Sequence, residues 1–120
     1  EYDVLASEDS ATLASFSAMI IEFHALQNLK QPDFLSMVST AFEKMYENFS
    51  ICHVHPNNCC GIEVTFGVAV PRVMEVTFIR NDLLDKFSNE QPLDLPHSLD
   101  SKNVVKHEDI AMPGLWWMAR

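Results

Sequence analysis

Short apolar runs and one amphipathic pattern organise the first half of the chain. Residues 1–6 begin with the apolar spacing of a helix, which a polar stretch then ends. Residues 18–24 form a β-branched and apolar run of the kind found in a strand covered on both faces. Pro32 occupies a favoured first helical position, and apolar residues recur at helical spacing from Phe34 to Phe49. The pattern predicts a buried strand followed by a helix.

Two further strands are predicted after this helix. Residues 49–55 are mostly apolar or β-branched, and Pro56 with the turn-forming pair Asn57 and Asn58 ends the run. Residues 73–80 alternate strictly between two faces, as a strand does. The connection of about 15 residues between the two runs shows no helical period, and a parallel neighbour normally needs a crossover. We therefore predict an irregular loop, and a last strand that pairs antiparallel with both earlier strands.

The end of the chain has a different character. Beyond residue 87 it contains three prolines and no apolar period. We divide the chain into a folded portion, residues 1–87, and an extended tail, residues 88–120, that packs on it. Trp116 and Trp117 are expected to anchor this tail.

Composition and charge narrow the function classes. Apolar and aromatic residues make up 48% of the 120 positions, enough for one hydrophobic core. The net charge of −9 argues against binding to nucleic acid, whose phosphates would be repelled. The longest apolar run, residues 17–21, is far shorter than the roughly 20 residues that cross a bilayer. We expect neither a nucleic-acid partner nor a membrane span within this chain, and nothing in it assigns a compartment.

The cysteines and nearby histidines suggest one metal alternative. Cys59 and Cys60 are adjacent in a set of three, which argues against a disulfide framework, so buried or free thiols are expected. His53 and His55 project from one face of the predicted strand close to these cysteines, and the four side chains could in principle bind one zinc ion. Structural zinc sites usually show Cys-x-x-Cys or Cys-x-x-His spacings, so we expect no metal here.

Five short motifs together resemble a known enzyme family. They lie at residues 1–5, 21–24, 53–58, 71–80 and 95–103, and include His-Val-His-Pro-Asn-Asn, Pro-Arg-Val-Met-Glu-Val-Thr and Pro-His-Ser-Leu-Asp. In this order they resemble the C-terminal part of the FkbM-type methyltransferases, which are S-adenosylmethionine-dependent enzymes. The resemblance implies an α/β fold, the C-terminal part of a class I (Rossmann-like) methyltransferase fold. Its mixed sheet would have an antiparallel last strand.

The resemblance also implies a cofactor and an acceptor. S-adenosylmethionine would donate a methyl group to a hydroxyl of a sugar or small molecule. Class I enzymes hold the cofactor with a Gly-rich turn after the first strand and an acidic residue after the second, and neither feature occurs in this chain. We therefore expect a C-terminal fragment that is inactive alone, with most of the cofactor site in residues outside it.

The candidate site residues are those at which two predicted strands end. Ligands of open α/β sheets bind outside the carboxyl ends of the parallel strands. His24 and His55 are the catalytic candidates, because a neutral imidazole can take a proton from an attacking hydroxyl. Asn57 and Asn58 are the substrate-binding candidates, since amides both donate and accept hydrogen bonds. The resemblance adds Glu1 as a cofactor-binding candidate. The alternative is that the asparagines only form a turn and the histidines bond to backbone.

Two carboxylates within the predicted strands are assigned structural roles. Glu22 lies two residues before His24 on the same strand face and is expected to orient that ring. Glu75 lies inside the alternating strand, where a hydrogen-bonded role is expected. A second function remains open, a non-catalytic carbohydrate- or protein-binding module that keeps this half of the methyltransferase fold.

Overall fold

The chain folds into a mixed helix and strand structure with antiparallel sheets, which a computed structural model describes for residues 1–86 and 95–116. The helices are α1 (Tyr2–Ser7), α2 (Ser10–Ala14) and α3 (Pro32–Tyr46), with short 3₁₀ helices at Leu26–Lys30, Asn81–Lys86 and Gly114–Trp116. The strands are β1 (Ala18–Phe23), β2 (Phe49–Pro56), β3 (Ile62–Thr65), β4 (Val68–Pro71) and β5 (Met74–Arg80).

Strand β5 lies between β1 and β2 in a three-stranded sheet and is antiparallel to both. This confirms the position predicted for residues 73–80. Strands β1 and β2 run in the same direction, but β5 separates them. Every neighbouring pair in the described sheet is therefore antiparallel, and the mixed sheet that the resemblance implies for the whole fold is not shown by these residues.

Helix α3 covers one face of this sheet. It begins with Pro32 at its first position and Asp33 in its first turn, where a carboxylate interacts favourably with the helix dipole. The Phe42 ring lies 4.8 Å from that of Phe23 on β1 and 6.0 Å from that of Phe78 on β5. Both strand rings are fully buried. Because side chains alternate along a strand, the neighbours of these phenylalanines project from the opposite face.

A hairpin occupies the connection that the sequence predicted as an irregular loop. Strands β3 and β4 pair antiparallel through a two-residue turn formed by Phe66 and Gly67. Both turn residues have positive φ, 52° and 80° respectively, which matches the type I′ turn that suits the twist of hairpin strands. The usual sequence signal for this turn is Asn-Gly, and Phe at the first position obscured it.

The N-terminal helices lie against the sheet and α3. The buried Tyr2 of α1 donates from its hydroxyl to the carbonyl of His24 at 2.7 Å. Burial raises the pKa of this tyrosine well above its ordinary value, with a smaller contribution from the nearby Glu1 carboxylate. Helix α1 confirms the helix predicted within residues 1–6. Helix α2, which follows it, was not predicted.

The described part of the tail packs on the folded portion. Ile110 and Met112 are buried within the same apolar cluster as the sheet residues. Trp116 donates from Nε1 to the carbonyl of Ala69 at 3.1 Å. Trp117 lies outside the described residues, as does the start of the tail. Among the helices described here, none combines the length and apolarity needed to cross a membrane.

Candidate functional site

Polar side chains collect on the sheet face opposite α3, where β1 and β2 end. Glu22 on β1 and His55 on β2 both pair in register with Glu75 on β5. His24 follows β1 and Asn57 follows β2, one step further along the same face. We name these five residues the strand-end cluster. It contains three of the four catalytic and substrate-binding candidates predicted from the sequence.

Asn57 connects the two strand ends. Its Nδ2 donates to Glu22 Oε1 at 2.7 Å. Its side-chain oxygen accepts from the backbone N–H of Cys59 at 2.9 Å, and its own backbone N–H donates to the carbonyl of Val73 at 2.9 Å. Two hydrogen bonds therefore fix the side-chain amide, and a third fixes the backbone of the same residue. Since NH₂ carries two donors, one N–H of the amide has no acceptor among the described residues and remains to bind a ligand.

His24 lies between two carboxylates. Its Nδ1 is 3.5 Å from Glu1 Oε1, and its Nε2 is 3.4 Å from Glu22 Oε2. The same oxygen of Glu1 accepts from the backbone N–H of His24 at 2.6 Å. The His24 side chain is about half exposed, so the ring is reachable from solvent. The structure thus places Glu1 beside the strand-end cluster.

His55 is the most enclosed member of the strand-end cluster. The residue is only 8% exposed, and its ring forms no hydrogen bond with the residues described. Its in-register neighbour Glu75 is half-buried and likewise forms no hydrogen bond or ion pair within the described ranges. The hydrogen-bonded role expected for Glu75 is therefore not seen. An imidazole without a partner keeps a lone pair that can accept a proton.

Asn58, the fourth predicted site residue, holds the tail instead. Its Nδ2 donates to the carbonyls of Val104 at 3.1 Å and His107 at 3.2 Å, and its Oδ1 accepts from the N–H of Val104 at 2.8 Å. The residue is only 5% exposed. Its amide is thus occupied by backbone groups of the tail and is not brought to the strand-end cluster.

His53 also binds the tail. Its Nε2 lies 2.9 Å from Asp100 Oδ1, and the second oxygen of Asp100 accepts from the backbone N–H of His97 at 2.6 Å. The zinc alternative would have required His53 to face the cysteines. Within residues 1–86 and 95–116, no three His, Cys, Asp or Glu side chains are arranged to hold a metal ion.

The expectation of free thiols is wrong for two of the three cysteines. Cys59 and Cys60 form a disulfide with each other, directly after the asparagine pair. Adjacency in sequence was taken as evidence against a disulfide framework, but it does not prevent neighbouring sulfurs from bonding within one turn. Cys52 on β2 is free, and burial raises the pKa of its thiol.

Comparisons with known proteins identified no relative of this chain. No family model matches it, and no curated protein and no solved structure shows significant similarity to it. Sequence reasoning placed Glu22 and Glu75 in structural roles and did not join them to the site. The alternation of side chains along each predicted strand could have identified them. In-register pairing places Glu22, Glu75 and His55 in one row on the same face of the sheet.

Proposed function

We propose that this chain is the acceptor-binding part of an S-adenosylmethionine-dependent methyltransferase that acts on a hydroxyl of a sugar or small molecule. The observation that carries the proposal is the convergence of His24, His55 and Asn57 on one sheet face at the ends of two strands. These strands have the same direction and flank an antiparallel third. This arrangement is the one expected from the motifs that resemble the FkbM-type family.

The residues of this chain do not fit the cofactor by themselves. A class I site needs a Gly-rich turn that opens a helix after a strand, so that backbone can approach the ligand closely. Gly61 and Gly67 belong to the hairpin region, and Gly114 begins a three-residue 3₁₀ helix. We therefore assign no step to the cofactor and expect no measurable binding of S-adenosylmethionine by residues 1–120 alone. Micromolar affinity in a calorimetric titration would contradict this part of the proposal.

The chain's own residues supply acid–base and orienting groups. His55 acts as the general base, since its ring has no hydrogen-bond partner among the described residues and can receive the acceptor's hydroxyl proton. Asn57 and Glu22 orient the acceptor through the remaining amide N–H and the carboxylate oxygens. His24, held between Glu1 and Glu22, lines the exposed side of the same face.

A second candidate function is a binding module without catalysis. The amide of Asn57 and the carboxylate of Glu22 support it, because such groups bind carbohydrate hydroxyls without any cofactor. Such a module would hold its ligand and leave it unchanged.

One assay distinguishes the two functions. The natural protein that contains this chain is incubated with S-adenosylmethionine carrying a tritiated methyl group and a panel of mono- and disaccharides. The methyltransferase proposal expects tritium in a saccharide, and loss of that transfer in the His55→Ala variant. Saccharide binding without any methyl transfer would support the module and overturn the enzyme.

A further inference from the structure

The strand-end cluster carries an excess of negative charge. Glu22 and Glu75 belong to it, and Glu1 lies beside it. Within the described ranges neither a lysine nor an arginine pairs with any of the three carboxylates, and the ion contacts of Glu1 and Glu22 are both with His24. Within residues 1–86 and 95–116, these carboxylates therefore have no permanent cationic partner.

Two of these carboxylates oppose each other across the sheet. Glu22 and Glu75 are direct partners in the antiparallel pairing of β1 and β5. Side chains at such positions have Cβ atoms about 4.5–5.5 Å apart, and like charges placed there destabilise the sheet. Asn57 donates a hydrogen bond to Glu22 but carries no charge, so it neutralises neither carboxylate.

A buried polar side chain without a partner points to a ligand at the same place. His55 is more than nine-tenths buried, and its ring forms no hydrogen bond with the described residues. The fully buried side-chain atoms that lack a partner in the described structure are Gln27 Oε1 and Thr65 Oγ1, so the unpartnered ring nitrogens of His55 still reach solvent and are open to a ligand. His55 lies directly opposite Glu75 on the same face, so its ring belongs to the same row as the two carboxylates.

We infer that the strand-end cluster binds a hydroxylated amine, of which an amino sugar is the simplest form. Its ammonium group lies between Glu22 and Glu75 and relieves their repulsion. A neighbouring hydroxyl bonds to the free nitrogen of His55. The inference rests on the proposed acceptor role of this face and narrows the acceptor to a cationic class. Anionic sugars are disfavoured, because the carboxylates repel them.

Binding of two matched sugars to the 120-residue chain tests the inference without any cofactor. The probes are glucosamine and glucose, which differ by an ammonium in place of one hydroxyl. We expect glucosamine to bind about tenfold more tightly, as a charge pair at short distance in a partly exposed site allows. That preference should shrink when salt rises from about 0.01 M to about 1 M, because the Debye length falls from about 30 Å to about 3 Å.

Matched variants assign the preference to the strand-end cluster. Glu75→Gln should reduce glucosamine affinity about tenfold and leave glucose affinity nearly unchanged, because it removes a charge and retains an amide of similar shape. Glu43→Gln removes the same charge from the exposed surface of α3 and should change neither affinity. If Glu75→Gln does not fold, the salt dependence of the glucosamine preference in the unsubstituted chain decides the question, because a preference that does not shrink at high salt is not electrostatic.

The outcomes separate this inference from the proposed function. Equal affinity for the two sugars, or equal losses in Glu75→Gln and Glu43→Gln, would overturn the cationic acceptor class. Neither result would affect the methyl-transfer assay, which can still succeed with neutral saccharides. Selective glucosamine binding by a protein that transfers no methyl group would support the cationic ligand and contradict only the enzymatic proposal.

Discussion

The side-chain amide of Asn57 donates a 2.7 Å hydrogen bond to Glu22 Oε1 and so joins the ends of two strands that are not neighbours in the sheet. Strand β5 lies between them, and its extension at Val73 accepts the backbone N–H of Asn57. The contact therefore spans the sheet at the point where the candidate site lies. It fixes the direction of the Glu22 carboxylate and the path of the loop that follows β2.

Replacing this amide by a carboxylate tests the contact. Asn57→Asp keeps the acceptor for the Cys59 N–H but sets two carboxylates against each other, which should destabilise the fold by about 1–3 kcal/mol at pH 7. Such repulsion raises a carboxyl pKa in the folded state, so the deficit should appear as pH rises and vanish below about pH 4. Urea unfolding at several pH values measures it. Asn103→Asp, which adds the same charge to an exposed residue, should show no comparable loss.

The main elements of the sheet could be predicted from the sequence because their patterns are long and consistent. The strict alternation of residues 73–80 predicted a strand, and the lack of a helical period before it predicted antiparallel pairing. The family resemblance implied its position between the other two strands, which the structure has. The hairpin was missed because each of its strands has only four residues. Phe66 also occupies a turn position at which Asn is usual. Short elements leave too few positions for a period to show.

The backbone conformation of Phe66 destabilises the hairpin turn, and a substitution at this position should remove that strain. Its φ of 52° is in the left-handed region that side chains other than Asn and Asp rarely adopt, and the side chain is 73% exposed. Phe66→Asn should therefore stabilise the protein by about 1 kcal/mol, measured from the urea midpoint. Val64→Asn changes another exposed apolar residue on the same hairpin without that conformation, and should not stabilise. A loss of stability in Phe66→Asn would show that the ring makes a favourable contact.

The contact between His53 and Asp100 is predicted to hold the tail. Asp100→Ala removes the bond to the His53 ring and the bond from the His97 backbone, both within a largely buried side-chain environment. We expect a loss of about 1–3 kcal/mol and faster proteolytic cleavage within residues 97–107. Asp109→Ala, at an exposed residue, is the control. Unchanged cleavage in Asp100→Ala would mean that Asn58 and the apolar contacts suffice.

The cysteine assignments can be checked by counting thiols. Without reductant the chain should show one free thiol, Cys52, and after unfolding with reductant it should show three. Since burial raises the pKa of Cys52, less thiolate is present at a given pH, and alkylation near pH 8 should be slower in the folded than in the unfolded chain. Three rapidly reacting thiols in the folded, unreduced chain would contradict the disulfide between Cys59 and Cys60.

Three of the four catalytic and substrate-binding candidates were located correctly from the sequence, and the fourth was not, for an identifiable reason. His24, His55 and Asn57 end predicted strands, so the general rule for ligand sites in open sheets located them. Asn58 has the same type and position, yet its side chain bonds to residues 104 and 107 of the tail. A segment without periodicity gives no information on where it packs. Contacts with the tail could therefore not be predicted from the sequence pattern.

The acceptor role of the strand-end cluster is tested most directly by the methyl-transfer rate of the natural protein carrying His55→Ala or Asn57→Ala, measured together with S-adenosylmethionine affinity. Loss of a general base should lower the rate about 10²- to 10⁴-fold, and loss of one orienting hydrogen bond about 2- to 13-fold. His107→Ala, outside the cluster, is the control. The account predicts the larger loss in His55→Ala with cofactor affinity unchanged. Equal small losses, or abolished cofactor binding in a folded variant, would contradict it.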